Sequence, residues 1–377
     1  MKIVADENIP LLEHYFGDCG ELVTMPGRMI VHNDLLDADM LLVRSVTHVN
    51  KALLENTPVK FVGSATTGTD HLDMEWMDQA GIAWATAPGS NAQAVAEYVV
   101  CVVASLQRME FLGQKNLRAG VIGVGNIGKK VVEYLTLLGF DVVQCDPFRA
   151  EHDPSFQSND LEEFTDLDLV TIHTPLTRQG PYPTYHLVDK EFLKYQKKEA
   201  VLLNTARGAV INFTDLKRYG DLLNWCLDVW ENEPKIDLEM LGAAILATPH
   251  IAGYSIQGKC LGTEMIYQAA CEKNFIPNFH KSEIVFPTHT VSFGHARADW
   301  RDVVLKIFDP EKASHRMKDV LLSHHETFDN LRKHFIERHE FAYVKVKDAQ
   351  LTDIDKEILK QFGISVSSAM MSGMVRI

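Results

Sequence analysis

The chain has 377 residues, 46% of them hydrophobic and 23% charged, and carries a formal net charge of −14. That length exceeds one ordinary core and fits two or three soluble globular domains. The acidic balance argues against a nucleic-acid surface, so an anionic substrate must be drawn in by local cations against the overall field.

In chain order, residues 2–5, 38–45, 59–66 and 81–85 read as strands with helical stretches between them. They make a small α/β unit whose strand ends carry polar residues. Pro88, Gly89, Ser90 and Asn91 close that unit and offer a helix N-cap. From 92 to about 111 the pattern is helical and apolar almost all round, as expected of a buried helix. Six apolar runs follow at 119–123, 141–146, 167–173, 199–204, 224–229 and 243–247. They show little polar alternation, which marks parallel strands covered on both faces. Residues 128–138 and 214–222 are helix-compatible, and 259–271 reads as a helix crossing back to the first unit. A shift near 285–287 opens a last segment of mixed strands and helices. No apolar run is long enough for a bilayer and no signal peptide is evident. Cys19, Cys101, Cys145, Cys226, Cys260 and Cys271 form no C-x-x-C pair and read as reduced thiols of a cytoplasmic protein. No metal ligand set is expected.

The first of the six runs ends in Gly123, Gly125, Asn126, Ile127 and Gly128, a G-x-G-x-x-G pattern between strand and helix. The first glycine allows the tight turn, the second admits a pyrophosphate, and the third lets the helix pack closely. Asp146 ends the next run, where a carboxylate accepts from ribose hydroxyls and repels a 2′-phosphate, so NAD is expected over NADP. Arg149 nearby is expected as a solvated loop charge. His173, Thr174 and Pro175, then Thr205, Ala206 and Arg207, then Asp228, and finally His250 all follow later strand ends. Ligands of such sheets bind outside the carboxyl ends, and Thr174 and Pro175 are expected as walls of the nicotinamide site.

Hydride transfer from a hydroxy acid makes three demands that these residues match. A substrate carboxylate needs a planar double donor, which Arg207 offers. The hydroxyl needs a base active near neutrality, which His250 offers. The imidazolium then needs a carboxylate partner, which Glu233 offers, although Glu231 competes with it on the residues alone.

As a set, the glycine loop, the Asn-Thr-Ala-Arg-Gly turn at 204–208, Asp228 with Glu233 and Pro234, and Thr-Pro-His at 248–250 resemble the D-2-hydroxyacid dehydrogenase family. The resemblance implies a doubly wound parallel-sheet NAD-binding Rossmann domain at 92–253. It also implies a flavodoxin-like substrate domain at 1–91 with 254–284, and a small α+β dimerisation domain at 285–377. Arg207, Glu233 and His250 would be carboxylate anchor, histidine partner and acid/base, and Asp228 would contact the nicotinamide amide. Thr205, Ala206 and Gly253 would lie at the cofactor. Finer features at 43–47, 65–71, 180–186 and 328–338 resemble a branch that acts on a phosphorylated hydroxy acid as a homodimer. There Ser45, Thr66 and Tyr254 would hold the substrate. A second cation is expected for the phosphate, with Arg44 the choice, and Arg338 as one that could reach it from another subunit. His339 departs from the basic residue expected beside it. The rivals are a D-3-phosphoglycerate or D-glycerate dehydrogenase, or a non-catalytic NAD-sensing scaffold.

Overall fold

The computed structural model describes residues 1–335 and 338–367. The chain divides into two compact units, Met1–Gln93 with Tyr254–Val285, and Ala94–Gly253 with Phe286–Ile377.

The first unit holds five parallel strands, β1 (Lys2–Asp6), β2 (Glu21–Met25), β3 (Met40–Val43), β4 (Phe61–Ser64) and β5 (Ala83–Ala85). Their order, β2-β1-β3-β4-β5, is the flavodoxin-like one. Alternate side chains point to opposite faces, and both faces are covered. Ile3, Met40 and Phe61 pack with Phe16, Ile266 and Tyr267 on one side. Val4, Leu41 and Val62 pack with Leu35, Leu54 and Met77 on the other. Helix Ile256–Glu272 brings Ile266 and Tyr267, so the chain does return to this unit after leaving it. The sequence pattern missed β2. It is an edge strand with exposed and half-buried side chains, and so lacks the continuous apolar run of a strand covered on both faces.

The second unit begins two residues into helix Ala92–Arg108, which is buried throughout from 94 to 107. Six parallel strands follow: β6 (Arg118–Ile122), β7 (Asp141–Cys145), β8 (Leu169–Ile172), β9 (Val201–Asn204), β10 (Asn224–Leu227) and β11 (Leu246–Ala247). Their order is β11-β10-β9-β8-β6-β7, which reverses between β6 and β8. Because every pairing is parallel, all six carboxyl ends lie along one edge. The last strand is shorter than its apolar run suggested. Asp237 caps a helix, Leu238–Ala243, which takes the start of that run.

The tail forms a small parallel sheet of β12 (His289–Ser292), β13 (Val344–Lys347) and β14 (Ser365–Val366) with helices around it. This small C-terminal sheet domain packs helices into the core of the six-stranded sheet. Met317, Leu321, Phe328 and Leu331 sit in one apolar cluster with Leu202, Phe213, Trp230 and Met240. Helix Pro310–Leu322 also covers the sheet edge at β11, where the Ser314 hydroxyl accepts from the Ala247 N–H at 3.0 Å. Among the described residues no helix is long and apolar enough to cross a membrane. No disulfide joins any of the six cysteines.

Ser314→Ala removes the acceptor of a fully buried edge N–H. It should cost about 1–3 kcal/mol in urea unfolding, with the loss appearing as a lower midpoint at unchanged slope.

Candidate active site

The glycine loop is built as its spacing requires. Gly123 has a φ of +85°, and a Cβ there would come within 2.7 Å of the Thr174 backbone, so the ends of β6 and β8 touch. A Cβ on Gly128 would lie 2.0 Å from the Gly123 carbonyl oxygen, which fixes the close approach of helix Asn126–Leu137. Gly125 has nothing within 4 Å, which leaves open space where a pyrophosphate meets backbone amides. Asp146 accepts from the Val124 N–H at 2.8 Å and caps helix Pro147–His152 through the Arg149 N–H. These residues fit NAD. Arg149 is not the solvated charge expected: its guanidinium is paired with Asp153 at 3.0 Å and lies over Phe156.

Further along the edge, His173 is buried between the Thr171 and Thr205 hydroxyls at 2.9 and 3.0 Å. Burial drives its imidazole down to about 3, so it is a neutral structural group. Thr205 therefore spends its hydroxyl within the protein, and any contact it makes with a cofactor falls to its backbone. Asn204 stitches the next turn, donating to the Arg207 carbonyl and accepting from the Ala206 N–H. Arg207 Nη1 donates to the Ala206 carbonyl at 2.8 Å.

His250 and Glu233 meet, with His250 Nδ1 2.8 Å from Glu233 Oε2. The other oxygen, Oε1, accepts from the Trp230 N–H at 2.8 Å. Burial works to raise the Glu233 carboxyl. The charge and hydrogen bond of His250, the Arg332 charge and the Trp230 N–H outweigh it and hold it below the ordinary range. Glu231, the competing carboxylate, turns instead to His186 Nε2 at 3.1 Å.

Asp228 is 1% exposed, and its carboxylate organises the histidine loop. Oδ1 accepts from the Thr248 hydroxyl at 2.6 Å and the Ile251 N–H at 2.7 Å, and Oδ2 accepts from the Ala252 N–H at 3.0 Å. Burial pushes this carboxyl up, while the His250 charge and those three donors pull against it. The Tyr98 hydroxyl extends the chain to Thr248 at 2.7 Å. Positioning by Asp228 and Tyr98 went unread in the sequence, because it depends on partners up to 150 residues apart.

The first unit has its own polar edge. Arg44, expected to await a phosphate, binds buried Asp6 through Nε at 2.9 Å and Nη2 at 3.3 Å. That pair takes two of the five guanidinium donors and fixes the fork at the ends of β1 and β3. Ser45 is exposed beyond β3, and Thr66 lies beyond β4 with its hydroxyl 2.9 Å from that of Ser64. Tyr254 carries Lys259 Nζ 4.0 Å over its ring. Arg338, left open as a cation that could reach a phosphate from another subunit, is buried in its own chain. It donates to the carbonyls of Ala94 at 2.6 Å, Ala252 at 2.7 Å and Ile251 at 3.4 Å. His339 stacks on His289 with ring centres 5.1 Å apart.

A doubly wound sheet with this loop and this edge defines an NAD-dependent dehydrogenase of 2-hydroxy acids. The family model described as D-isomer specific 2-hydroxyacid dehydrogenase, NAD binding domain, matches residues 92–252, and a domain of unknown function matches 287–363. Over 366 residues the chain is 43% identical to an erythronate-4-phosphate dehydrogenase of Coxiella burnetii, covering 95% of this chain and 98% of that one. A second, from Teredinibacter turnerae, is 42% identical over 93% and 96% of the two chains. The chain belongs to the erythronate-4-phosphate dehydrogenase family. Among solved structures, the NAD+-bound 3-phosphoglycerate dehydrogenase of Entamoeba histolytica aligns with a TM-score of 0.61 and 24% identity, covering 76% of this chain and 99% of that one. D-lactate dehydrogenase from Aquifex aeolicus, complexed with NAD and lactic acid, gives 0.61 and 23%, over 73% and 96%. At these identities the likeness is one of fold.

His173 generates a pH prediction. Its folded value lies below the unfolded one near 6.5, so below that pH only the unfolded state binds the proton. Stability therefore falls as pH drops from about 6.5 toward 3, with a slope of about 1.4 kcal/mol per pH unit from this group. Urea unfolding of His173→Asn should lack that component across the window; an acid limb as steep as wild type would contradict it.

Proposed function

We propose that this chain oxidises 4-phospho-D-erythronate at C2 to 2-oxo-3-hydroxy-4-phosphobutanoate. The observation that carries this reading is the 2.8 Å pair of His250 and Glu233 at the carboxyl edge of an NAD-binding sheet. The substrate itself is taken from the named relatives, and with it a place in pyridoxal 5′-phosphate biosynthesis.

An ionised carboxylate only accepts, so His250 Nδ1 carries the proton toward Glu233 and leaves the Nε2 lone pair as the base. His250 Nε2 takes the C2 hydroxyl proton as C2–O becomes a carbonyl. Bound NAD supplies the acceptor for the hydride that leaves C2. Glu233 stabilises the imidazolium that results. Arg207 holds the substrate carboxylate with its planar fork. Ser45, Thr66 and Tyr254, with the donors of Arg44 that Asp6 leaves over, are assigned to the remainder of the substrate and its phosphate. Asn126, Ile127, Thr174, Thr205, Ala206 and Gly253 are assigned to the cofactor by their place beside the strand ends. Asp228 is assigned there too, in addition to its hold on the loop.

NAD reduction should follow addition of 4-phospho-D-erythronate and be far slower with D-3-phosphoglycerate; equal rates, or activity with the second alone, would reject the substrate. His250→Ala should lose about 10²–10⁴-fold in kcat while the NAD dissociation constant stays within about threefold. Normal turnover in that variant would remove its role. Arg207→Lys should lower kcat/KM by about 30–100-fold, because a point donor replaces the fork.

The working form is proposed to be a homodimer joined through residues 285–377, on the resemblance of the 328–338 segment. Sedimentation equilibrium should return twice the chain mass, and a chain that stays monomeric at assay concentration would oppose it.

A further inference from the structure

The loop from Thr248 to Ala252 is held from two sides. On one side its N–H groups bond to Asp228: His250 to the carbonyl at 2.7 Å, Ile251 and Ala252 to the carboxylate. On the other side its carbonyls accept from the tail. Arg332 Nε donates to the His250 carbonyl at 3.2 Å, and Arg338 donates to those of Ile251 and Ala252. His250 itself has a φ of +57°, in the left-handed region that costs an L-residue some backbone energy.

Arg332 is placed by burial. It sits on helix Phe328–Lys333, whose Phe328 and Leu331 lie in the core shared with the six-stranded sheet. Thr327 caps that helix through the Asn330 N–H. One half-buried guanidinium therefore meets the main chain of His250 while its charge acts on Glu233.

We propose that Arg332 is a positioning residue for the acid/base pair, and that the tail, matched as a domain of unknown function, is thereby a working part of the active site. The tail clamps the carbonyls of the histidine loop while Asp228 clamps its amides. Arg332 adds a fixed positive charge that, after His250 itself, favours the ionised form of Glu233. The proposal rests on the assignment of His250 as base.

Three variants separate the hydrogen bond from the charge. Arg332→Ala removes both, Arg332→Gln keeps a donor without charge, and Arg332→Lys keeps the charge. In Arg332→Ala, kcat should fall about 10–100-fold with the KM for 4-phospho-D-erythronate and the NAD affinity changed less than about threefold. Amide hydrogen exchange of a peptide spanning 248–254 should accelerate about tenfold or more, with exchange of β9 and β10 unchanged. Arg332→Lys should restore most of the turnover. In Arg332→Gln the acid limb of kcat/KM should move to higher pH. Loss of a cation favours the protonated pair, and Asp228, whose charge also acts on His250, is unaltered.

Unchanged exchange at 248–254, or a loss of turnover that lysine does not restore and that leaves the pH profile in place, would overturn the proposal. Should the alanine variant fail to fold, the glutamine and lysine variants decide it alone. The exchange measurement is independent of the chemistry. If His250→Ala proved active, accelerated exchange would still report the clamp, whereas an inactive His250→Ala with unchanged exchange would sink the clamp only.

Discussion

The buried Asp228 carboxylate is the fixed point from which the active edge is built. Taking such a group out of water costs several kcal/mol unless donors converge on it, and three do, all from the Thr248–Ala252 loop. Its own position follows from β10, because it is the first residue after that strand and its N–H bonds to the Asn204 carbonyl of the neighbouring strand end. The rigidity of the sheet is thus passed to the histidine loop through the main chain and side chain of one residue. A histidine at φ +57° is disfavoured by about 1–2 kcal/mol. Bonds from the His250 N–H to Asp228 and to its carbonyl from Arg332 offset that cost.

Charge is handled locally in a chain whose net balance is −14. Each arginine near the strand ends is pinned: Arg44 by Asp6, Arg207 by the Ala206 carbonyl, Arg338 by three carbonyls. At about 4 Å and an effective dielectric of 20 a unit charge interacts by about 4 kcal/mol, whereas beyond about 10 Å salt screens exposed charges. Net charge therefore acts at long range, and each pinned guanidinium acts only over the few ångströms around it.

What was legible in the sequence was what strand geometry makes local. Gly123, Gly125 and Gly128 declare themselves because each does its work within one turn, and the polar residues after strand ends share an edge because the strands are parallel. Glu231 and Glu233 could not be told apart by spacing, since only the path of the loop decides that one meets His186 and the other His250. Arg332 was illegible for a different reason. Its partner carbonyl lies 82 residues earlier, and a backbone carbonyl leaves no mark on a sequence. The carboxylate partners of Arg149, expected as a solvated charge, and of Arg44, expected at a phosphate, were not legible because a carboxylate four residues on, or 38 residues back, gives no sign of being aimed at them.

The glycine that follows Arg207 explains why the fork, the carboxylate and the imidazole keep a common frame. A Cβ at Gly208 would fall 2.0 Å from the Trp230 carbonyl carbon and 2.2 Å from the Glu231 nitrogen, so only glycine lets the arginine turn rest on the glutamate loop. Two histidines then close on that loop from either side. His186 and His250 both have left-handed backbone, at φ +56° and +57°, and take Glu231 and Glu233 respectively. The His186 N–H also bonds to the Ala209 carbonyl, one residue past Gly208, which ties the outer pair to the arginine turn itself. Relative placement of the Arg207 turn and the Glu231–Glu233 loop is therefore set by backbone against backbone, which relaxes far less than side chain against side chain. A substrate carbon can be held to a fraction of an ångström only if the frame around it does not yield.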